Sequence, residues 1–192
     1  VPVPSVLCLC EDLEVIGAVF FVMSYEDGPI FWDPALPELN LDERGTLYRD
    51  EIRVLAALHS LDPTGIGLTD FGRPGSYFER QIKRWTGQYR ASETTSIGAM
   101  ESLMLWLSQH TPDDDGQSAL IHGDYRLDNL IMTYEKTSIQ AVIDWELSTL
   151  GHPFADLAYQ CMGLRMPNHE QIRGLADVDR PALGIPEESE IV

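Results

Sequence analysis

The sequence predicts an α+β fold in which a β-rich start leads into a mainly helical part that carries a second β-hairpin. Residues 6–10 and 15–23 are rich in β-branched and aromatic side chains, as strands are. Residues 41–61 instead repeat apolar side chains with the period of an amphipathic helix. Two short apolar runs, 130–133 and 139–143, flank a polar turn late in the chain, which predicts a hairpin.

The first two strands are expected to pair with each other. Val6–Cys10 leads into a turn at Glu11 and Asp12, and Val15–Met23 is predicted to return antiparallel to it. The next residues, Ser24–Gly28, fit two interpretations: a plain loop after a hairpin, or an extended hinge between two lobes. Taken alone, this segment supports both equally.

The middle of the chain is predicted to be helical. Leu47, Val54 and Leu58 share one face of the helix over 41–61, with Asp42 as its N-cap and residues 62–65 as its end. A second amphipathic helix is predicted over 96–110. Its stripe of Met and Leu side chains is expected in the core.

The helix predicted over 77–89 is unusually basic for this chain, since Arg80, Lys83 and Arg84 lie within it. Two explanations stay open. The helix could bind an anionic substrate group, such as the phosphates of a coenzyme A thioester, or it could present a solvated face balanced by nearby acids. The second is the simpler explanation.

A polar motif between apolar runs carries the chemistry of the sequence. His122-Gly123-Asp124 follows the strand predicted over 119–121, Asn129 lies at a fixed offset, and the strand over 139–143 ends at Asp144. Phosphoryl transfer needs one carboxylate near the attacking hydroxyl, and an amide and a second carboxylate to hold magnesium. The spacing His-x-Asp-x-x-x-x-Asn matches the catalytic loop of protein-kinase-like enzymes. The motif therefore predicts a phosphoryl-transfer site.

This ordered set resembles the signature of the aminoglycoside phosphotransferase and choline kinase superfamily, which has a protein-kinase-like fold. There, Gly replaces the Arg of the protein-kinase loop, and a pair such as Asp144-Trp145 replaces Asp-Phe-Gly. Residues 151–158 resemble the superfamily's Gly-Asp-Pro-x-x-Asp-Leu-Ala segment, with His152 as a departure. Residues 31–34 and 80–85 resemble, more narrowly, phosphotransferase domains fused to or encoded beside acyl-CoA dehydrogenases. The resemblance covers nearly the whole chain.

The resemblance implies a kinase that moves the γ-phosphoryl group of ATP, or of GTP, to a hydroxyl of a small molecule. Asp124 would be the catalytic base or would orient that hydroxyl, and Asn129 and Asp144 would ligate Mg²⁺. His122 would brace the loop. Arg126 would either stabilise the γ-phosphoryl oxygens or form a salt bridge on the substrate side, and the residues leave both open.

Two further roles follow from the same resemblance. Next to a kinase-like catalytic loop, the hinge interpretation is preferred for Ser24, Tyr25 and Glu26, whose backbone would pair with the adenine edge. Asp156 is expected to hydrogen-bond back to the catalytic loop, as its superfamily counterpart does.

The expected domain organisation is an incomplete N-lobe followed by a C-lobe. Residues 1–28 would be the last strands of the N-lobe and the hinge, and residues 29–192 the C-lobe with its catalytic loop and metal site. No glycine-rich loop precedes Val1 and no Lys precedes Lys83, although complete kinases carry both before these strands. The expectation is therefore a fragment that lacks most of the N-lobe, with a shortened C-terminus.

Charge and cysteine content limit the possible partners and location. The net charge of −18 argues against nucleic acid or an anionic membrane as the main partner, and it mildly favours a cationic acceptor. The 3 cysteines do not form a disulfide framework or a zinc-ligand pattern, which fits a cytoplasmic protein. The oligomeric state is not predicted.

Three classes of function remain in competition. The leading one is a small-molecule kinase whose acceptor is a hydroxyacyl-CoA-type compound, an aminoglycoside or an aminoalcohol, with an acyl-CoA dehydrogenase domain or neighbour as partner. The second is a catalytically incompetent pseudokinase that acts as an interaction module. The presence of Asp124, Asn129 and Asp144 together argues against it. A metal-dependent hydrolase is disfavoured because no His or carboxylate cluster completes a two-metal site.

Overall fold

The structure, a computed structural model, describes residues 1–73, 75–169 and 173–192. It confirms the predicted α+β class. The elements follow one another as β1 (Val6–Cys10), α1 (Leu13–Ile16), β2 (Phe20–Met23), α2 (Leu41–His59), α3 (Tyr77–Ser92), α4 (Gly98–Gln109), β3 (Ala119–Ile121), β4 (Leu130–Met132), β5 (Ile139–Val142), β6 (Thr149–Gly151), α5 (Phe154–Arg165), α6 (Arg180–Leu183) and α7 (Glu188–Ile191).

The first hairpin forms as predicted, but its second strand is shorter than expected. β1 pairs antiparallel with β2, whereas the first residues of the predicted strand Val15–Met23 belong to α1 or to the turn after it. Asp12 caps α1 by accepting a hydrogen bond from the Glu14 amide at 2.9 Å, and Gly17 ends it with φ of 83°. This cap and a left-handed glycine outweigh the β propensity of the intervening residues.

Helix α2 is the central support of the fold, and its predicted apolar face is buried. Its N-cap is Asn40 rather than the predicted Asp42. The Asn40 side chain accepts a hydrogen bond from the Glu43 amide at 3.0 Å, and the Glu43 carboxylate accepts one from the Asn40 amide at 2.8 Å. This is a capping box, and its pattern of Asn followed three residues later by Glu is visible in the sequence.

The core lies between α2, the second hairpin and the segment that precedes α2. Leu36, Leu47, Leu58, Leu130 and Met132 are among its fully buried members. Helices α3 and α4 lie outside this core, because neither contains a buried residue. The expectation that the Met and Leu stripe of residues 96–110 belongs to the core is therefore wrong.

Three two-stranded antiparallel sheets complete the fold: β1 with β2, β3 with β6, and β4 with β5. The β4–β5 hairpin was predicted, and Leu130 pairs with Val142 in it. One step beyond that pair, the Ile143 amide donates a hydrogen bond to the Asn129 carbonyl at 3.0 Å. The ends of two strands thus bring Asn129 next to the residue that precedes Asp144.

Candidate active site

The loop between β3 and β4 requires glycine at its second position. Gly123 has φ of 86°, a region that side chains with a Cβ rarely adopt, and a Cβ there would lie 2.5 Å from the Leu147 carbonyl oxygen. The close approach comes from the 3-10 turn Trp145–Leu147, which runs against the loop. Gly123 therefore allows the two polar segments of the site to touch.

Asp156, at the start of α5, stabilises the loop between β3 and β4. Its buried carboxylate accepts hydrogen bonds from the His122 and Gly123 amides, each at 2.8 Å. His59 of α2 contributes a third contact, with its Nε2 3.0 Å from Asp156 Oδ2. The expected bond from Asp156 to the loop is present, and His59 is part of this support.

His122 is fully buried and braces the loop through both ring nitrogens. Its Nδ1 accepts a hydrogen bond from the Asp124 amide at 3.2 Å. Its Nε2 lies 3.0 Å from the Ile143 carbonyl oxygen, which can only accept. The ring is therefore the neutral tautomer with its proton on Nε2. With both nitrogens engaged, His122 ties the catalytic loop to the strand that leads to Asp144.

The Asp124 carboxylate lies among donors. Asn129 Nδ2 donates to Asp124 Oδ2 at 3.0 Å and also to the Asp124 carbonyl at 2.9 Å. The Tyr159 hydroxyl of α5 donates to the same carboxylate. Burial of the ring is the larger cause that raises the pKa of Tyr159, and this hydrogen bond is the second. Sequence reasoning missed Tyr159. The available signal was its position on α5 one helical turn after Asp156.

Arg126 lies between two carboxylates. Its Nε is 3.0 Å from Asp128 Oδ1 and 3.5 Å from Asp124 Oδ2, and its side chain is half exposed. Of the two predicted roles, the salt bridge is the one that this geometry contains.

Asp144 has an unusual backbone. Its φ of 65° lies in the left-handed region, which is costly for a residue with a Cβ. Among the described residues, its carboxylate accepts no hydrogen bond and forms no ion pair, and the residue is exposed. The β5 strand and the following turn thus present this carboxylate one residue after Ile143, whose amide bonds to the Asn129 carbonyl.

The predicted hinge residues lie along the edge of the β4–β5 hairpin. Gln140 Nε2 donates to Glu26 Oε2 at 3.1 Å, and the Met132 amide donates to the Pro29 carbonyl at 2.9 Å. A hydrogen bond from the Ser24 hydroxyl is the main cause that lowers the pKa of Glu26, and the bond from Gln140 is the second cause. Tyr25 is 87% exposed. The structure therefore brings residues 24–29 against the β4–β5 hairpin, whose ends adjoin Asn129 and Asp144.

A cavity of about 780 Å³ opens beside the catalytic loop, and nothing in the sequence pattern predicted it. Most of its lining is apolar or aromatic, contributed by α2, α5 and the loops on either side. Its described lining residues with charged or polar groups are Tyr48, Glu51, Tyr125, Arg126, Asp128, Tyr159, Gln160 and Arg173. Because Tyr159 also touches Asp124, the cavity adjoins the carboxylate.

The basic helix α3 has partners of its own. Arg90 forms ion pairs with Glu93 and Glu101, and the Arg84 guanidinium lies 5.5 Å from the centre of the Trp85 ring. The ion pairs of Arg90 fit the explanation that nearby acids balance the helix, whereas Arg84 contacts an aromatic ring. Within the described residues no group of three or more His, Cys, Asp or Glu side chains could form a metal cluster. No described helix combines the length and apolar character needed to cross a bilayer.

Comparison with known proteins places this geometry in a family. The profile of the phosphotransferase enzyme family matches residues 1–182, and the chain belongs to that family. Acyl-CoA dehydrogenase family member 10 of Mus musculus is 50% identical over 187 residues, which cover 97% of this chain and 17% of that protein. The chain thus spans a small part of the curated relative it matches.

Solved structures of similar proteins support the same family and fold. A crystal structure from Ralstonia eutropha JMP134, described as a candidate aminoglycoside phosphotransferase, matches with a TM-score of 0.93 and 49% identity, covering 100% of this chain and 58% of that one. A streptomycin–ATP complex of APH(2")-IIa matches with a TM-score of 0.61 at 17% identity, covering 98% of this chain and 63% of that one. At that identity the likeness concerns the fold alone. The predicted resemblance and the predicted kinase-like α+β fold are confirmed.

Proposed function

We propose that the chain is the phosphotransferase part of an ATP-dependent small-molecule kinase that phosphorylates a hydroxyl group. One observation carries the proposal: Asn129 donates to the Asp124 carboxylate, and the β4–β5 hairpin joins Asn129 to the residue that precedes Asp144. A carboxylate near the acceptor and an amide with a second carboxylate near the phosphates are the parts that phosphoryl transfer requires. Packing alone gives no reason for a bare carboxylate on strained backbone at Asp144.

Asp124 would orient the acceptor hydroxyl and take its proton. Asn129, Tyr159 and Arg126 all contact its carboxylate, so the group is held in one orientation before substrate arrives. In a loose transition state the hydroxyl proton leaves late, and positioning therefore contributes more than basicity. Arg126 would add positive charge beside the transferred group. His122 would act only as a brace, because both of its ring nitrogens are engaged.

Asn129 and Asp144 fit a magnesium ion by their donor atoms. Both side-chain hydrogen bonds of Asn129 are donated by Nδ2, which leaves its Oδ1 available as a metal ligand, and Asp144 offers a carboxylate without a protein partner among the described residues. Mg²⁺ prefers such oxygen ligands. When bound, it would neutralise charge on the nucleotide phosphates. The two residues would hold it next to Asp124.

The nucleotide would lie against the segment 24–26, which contacts the β4–β5 hairpin through Glu26 and Gln140. The ATP present in the APH(2")-IIa complex, a protein with the same fold, supports ATP as the nucleotide. The division into an N-lobe part over 1–28 and a C-lobe over 29–192 stays a prediction. So does the cytoplasmic location, for which the free cysteines are the support.

The cavity beside Asp124 favours an acceptor with an apolar body. Leu127, Met162, Met166 and other apolar side chains line most of it, and its described lining residues include no cluster of carboxylates for a polycation. A hydroxyacyl-type acceptor is therefore preferred to an aminoglycoside or an aminoalcohol. The name of the mouse relative supports a linked acyl-CoA dehydrogenase domain as partner.

The test is ADP release by the full chain with Mg²⁺ and ATP, measured over hydroxyacyl compounds, aminoalcohols and aminoglycosides. Asp124→Asn should abolish turnover while leaving nucleotide binding intact. Calorimetry should show magnesium-dependent nucleotide binding that Asp144→Asn removes. Binding without turnover on any acceptor would contradict the enzymatic role and favour the non-catalytic interaction module.

That alternative has one observation in its favour. The β1–β2 hairpin presents several exposed apolar side chains, including Leu7, Leu9 and Phe21. An apolar surface of this kind is typical of an interface. A module that works only through this surface would bind a partner equally well after Asp124→Asn.

A further inference from the structure

Glu51 is a buried carboxyl group with an unused oxygen. It lies on the inward face of α2 with 1% of its surface exposed, among Tyr48, Val54 and Leu55. Within the described residues, its Oε1 has no hydrogen-bond partner. Buried polar atoms of folded proteins are nearly always paired, so an unpaired one needs an explanation.

Among the described residues, Gln160 is the hydrogen-bond partner of the Glu51 carboxyl group, and Oε1 is the oxygen left without one. The Gln160 amide of α5 donates a hydrogen bond to it, and because Oε1 is the unpaired atom, the amide bonds to Oε2. Burial raises the pKa of Glu51 to about 8, so the group carries a proton at neutral pH. Since Oε2 is accepting, the proton belongs on Oε1. The result is an O–H donor without an acceptor.

The Glu51 side chain belongs to the wall of a cavity where a ligand would lie. Glu51 and Gln160 both line the 780 Å³ cavity, together with Tyr159, whose hydroxyl reaches Asp124. A molecule that presents a hydroxyl group to Asp124 would extend its body along this cavity towards Glu51. The cavity therefore has two polar positions, one at the carboxylate of the loop and one at the wall formed by α2.

We propose that Glu51 donates a hydrogen bond from Oε1 to an uncharged oxygen atom of the phosphoryl acceptor, a carbonyl oxygen in the simplest case. The proposal rests on the proposed function, because it takes the cavity as the acceptor site. It adds a specificity-determining residue. Acceptors with a second oxygen function at the right distance from the hydroxyl would be selected over simple alcohols.

The charges around the cavity favour a neutral group over an ammonium group. An ammonium group would require the ionised form of Glu51, whose formation burial opposes. Arg126 and Arg173 line the same cavity, and their charges are balanced by ion pairs with Asp124 and Asp128 and with Asp33, so they offer no extra attraction for either a cation or an anion. The titratable groups facing Glu51 are Tyr48 on its own helix, Tyr125 in the catalytic loop, Tyr159 on α5, and Arg126, Asp128 and Arg173 along the cavity wall.

The test compares two substitutions that differ in one property. Glu51→Gln keeps a donor of the same size, whereas Glu51→Met keeps the volume without a donor. The probes are straight-chain hydroxyketones, with the separation between hydroxyl and carbonyl varied one carbon at a time, and alkanols of the same carbon count. Binding is measured by ligand-observed NMR on the full chain, and thermal melting verifies that both variants fold.

The expected result is that the wild-type chain and Glu51→Gln bind one hydroxyketone about 10-fold more tightly than the matching alkanol, as one neutral hydrogen bond allows. Glu51→Met should lose that preference. In the wild-type chain the preference should also fall above pH 8, where Glu51 ionises, while Glu51→Gln keeps it.

An equal preference in Glu51→Met, or no hydroxyketone preference in the wild-type chain, would overturn the assignment. These measurements do not involve phosphoryl transfer. A failure of the kinase proposal would appear as absent turnover with the preference intact, and a failure of this inference as turnover without the preference.

Discussion

Replacing Glu51 by glutamine should stabilise the protein at neutral pH. Burial raises the pKa of this carboxyl group from its ordinary 4.5 to about 8, so the folded chain keeps a proton that the unfolded chain releases. The contribution of Glu51 to stability is therefore most favourable below pH 4.5 and falls as pH rises towards 8. The loss is about 1.4 kcal/mol per pH unit, which accumulates to about 3 kcal/mol at pH 7. Glutamine does not titrate and avoids this loss.

The assay is thermal and urea unfolding of the wild-type chain and Glu51→Gln from pH 4.5 to 8. For a chain of this size, about 3 kcal/mol corresponds to roughly 6–12 °C in melting temperature. The two proteins should converge at the acidic end and diverge as pH rises. Glu135→Gln, an exposed residue in the turn between β4 and β5, serves as the matched control and should show no such divergence.

A difference between wild type and Glu51→Gln that stays constant across this range would refute the reasoning, because it would show that Glu51 releases its proton equally in both states. A pH-dependent difference would instead support a neutral Glu51 at pH 7. It would also mean that α2 keeps a destabilising residue at the wall of the cavity, which is expected of a functional site.

Three other perturbations test the local geometry. Gly123→Ala places a Cβ 2.5 Å from the Leu147 carbonyl oxygen, so urea unfolding should show a loss of at least about 2 kcal/mol. Asp156→Asn turns one acceptor of the loop amides into a donor; hydrogen exchange of those amides should accelerate, and a loss of about 1–3 kcal/mol is expected. Asn40→Ala removes the cap of α2 and should cost about 1 kcal/mol in urea, and an equal loss in the control Asp42→Ala would contradict the cap assignment.

The order and spacing of the polar residues predicted the candidate site better than secondary-structure propensities did. Asp124, Asn129 and Asp144 were found from spacing, because a catalytic loop and a hairpin need fixed distances along the chain. Their catalytic and metal-binding roles stay predictions. The face of α2 was also readable, since Leu47 and Val54 follow the helical period over a long segment.

Short elements and exposed helices were harder to predict. Helix α1 has 4 residues, fewer than a periodic pattern needs, and it depends on one cap and one glycine. The apolar stripe of α4 looked like core, but periodicity reports only that a helix has two faces. It does not report which partner covers the apolar one, and in this structure no described element buries it.

The sequence by itself determined the family, the α+β class and the polar motif, because these depend on the order and spacing of residues along the chain. Only the tertiary structure decided the surroundings of that motif. Tyr159 reaches Asp124, and Glu51 meets Gln160, across distances of 35 and 109 positions in the sequence. Such contacts form where α2 and α5 pack on either side of the loop. The residue pattern of one helix does not predict which residues of the other helix it will contact.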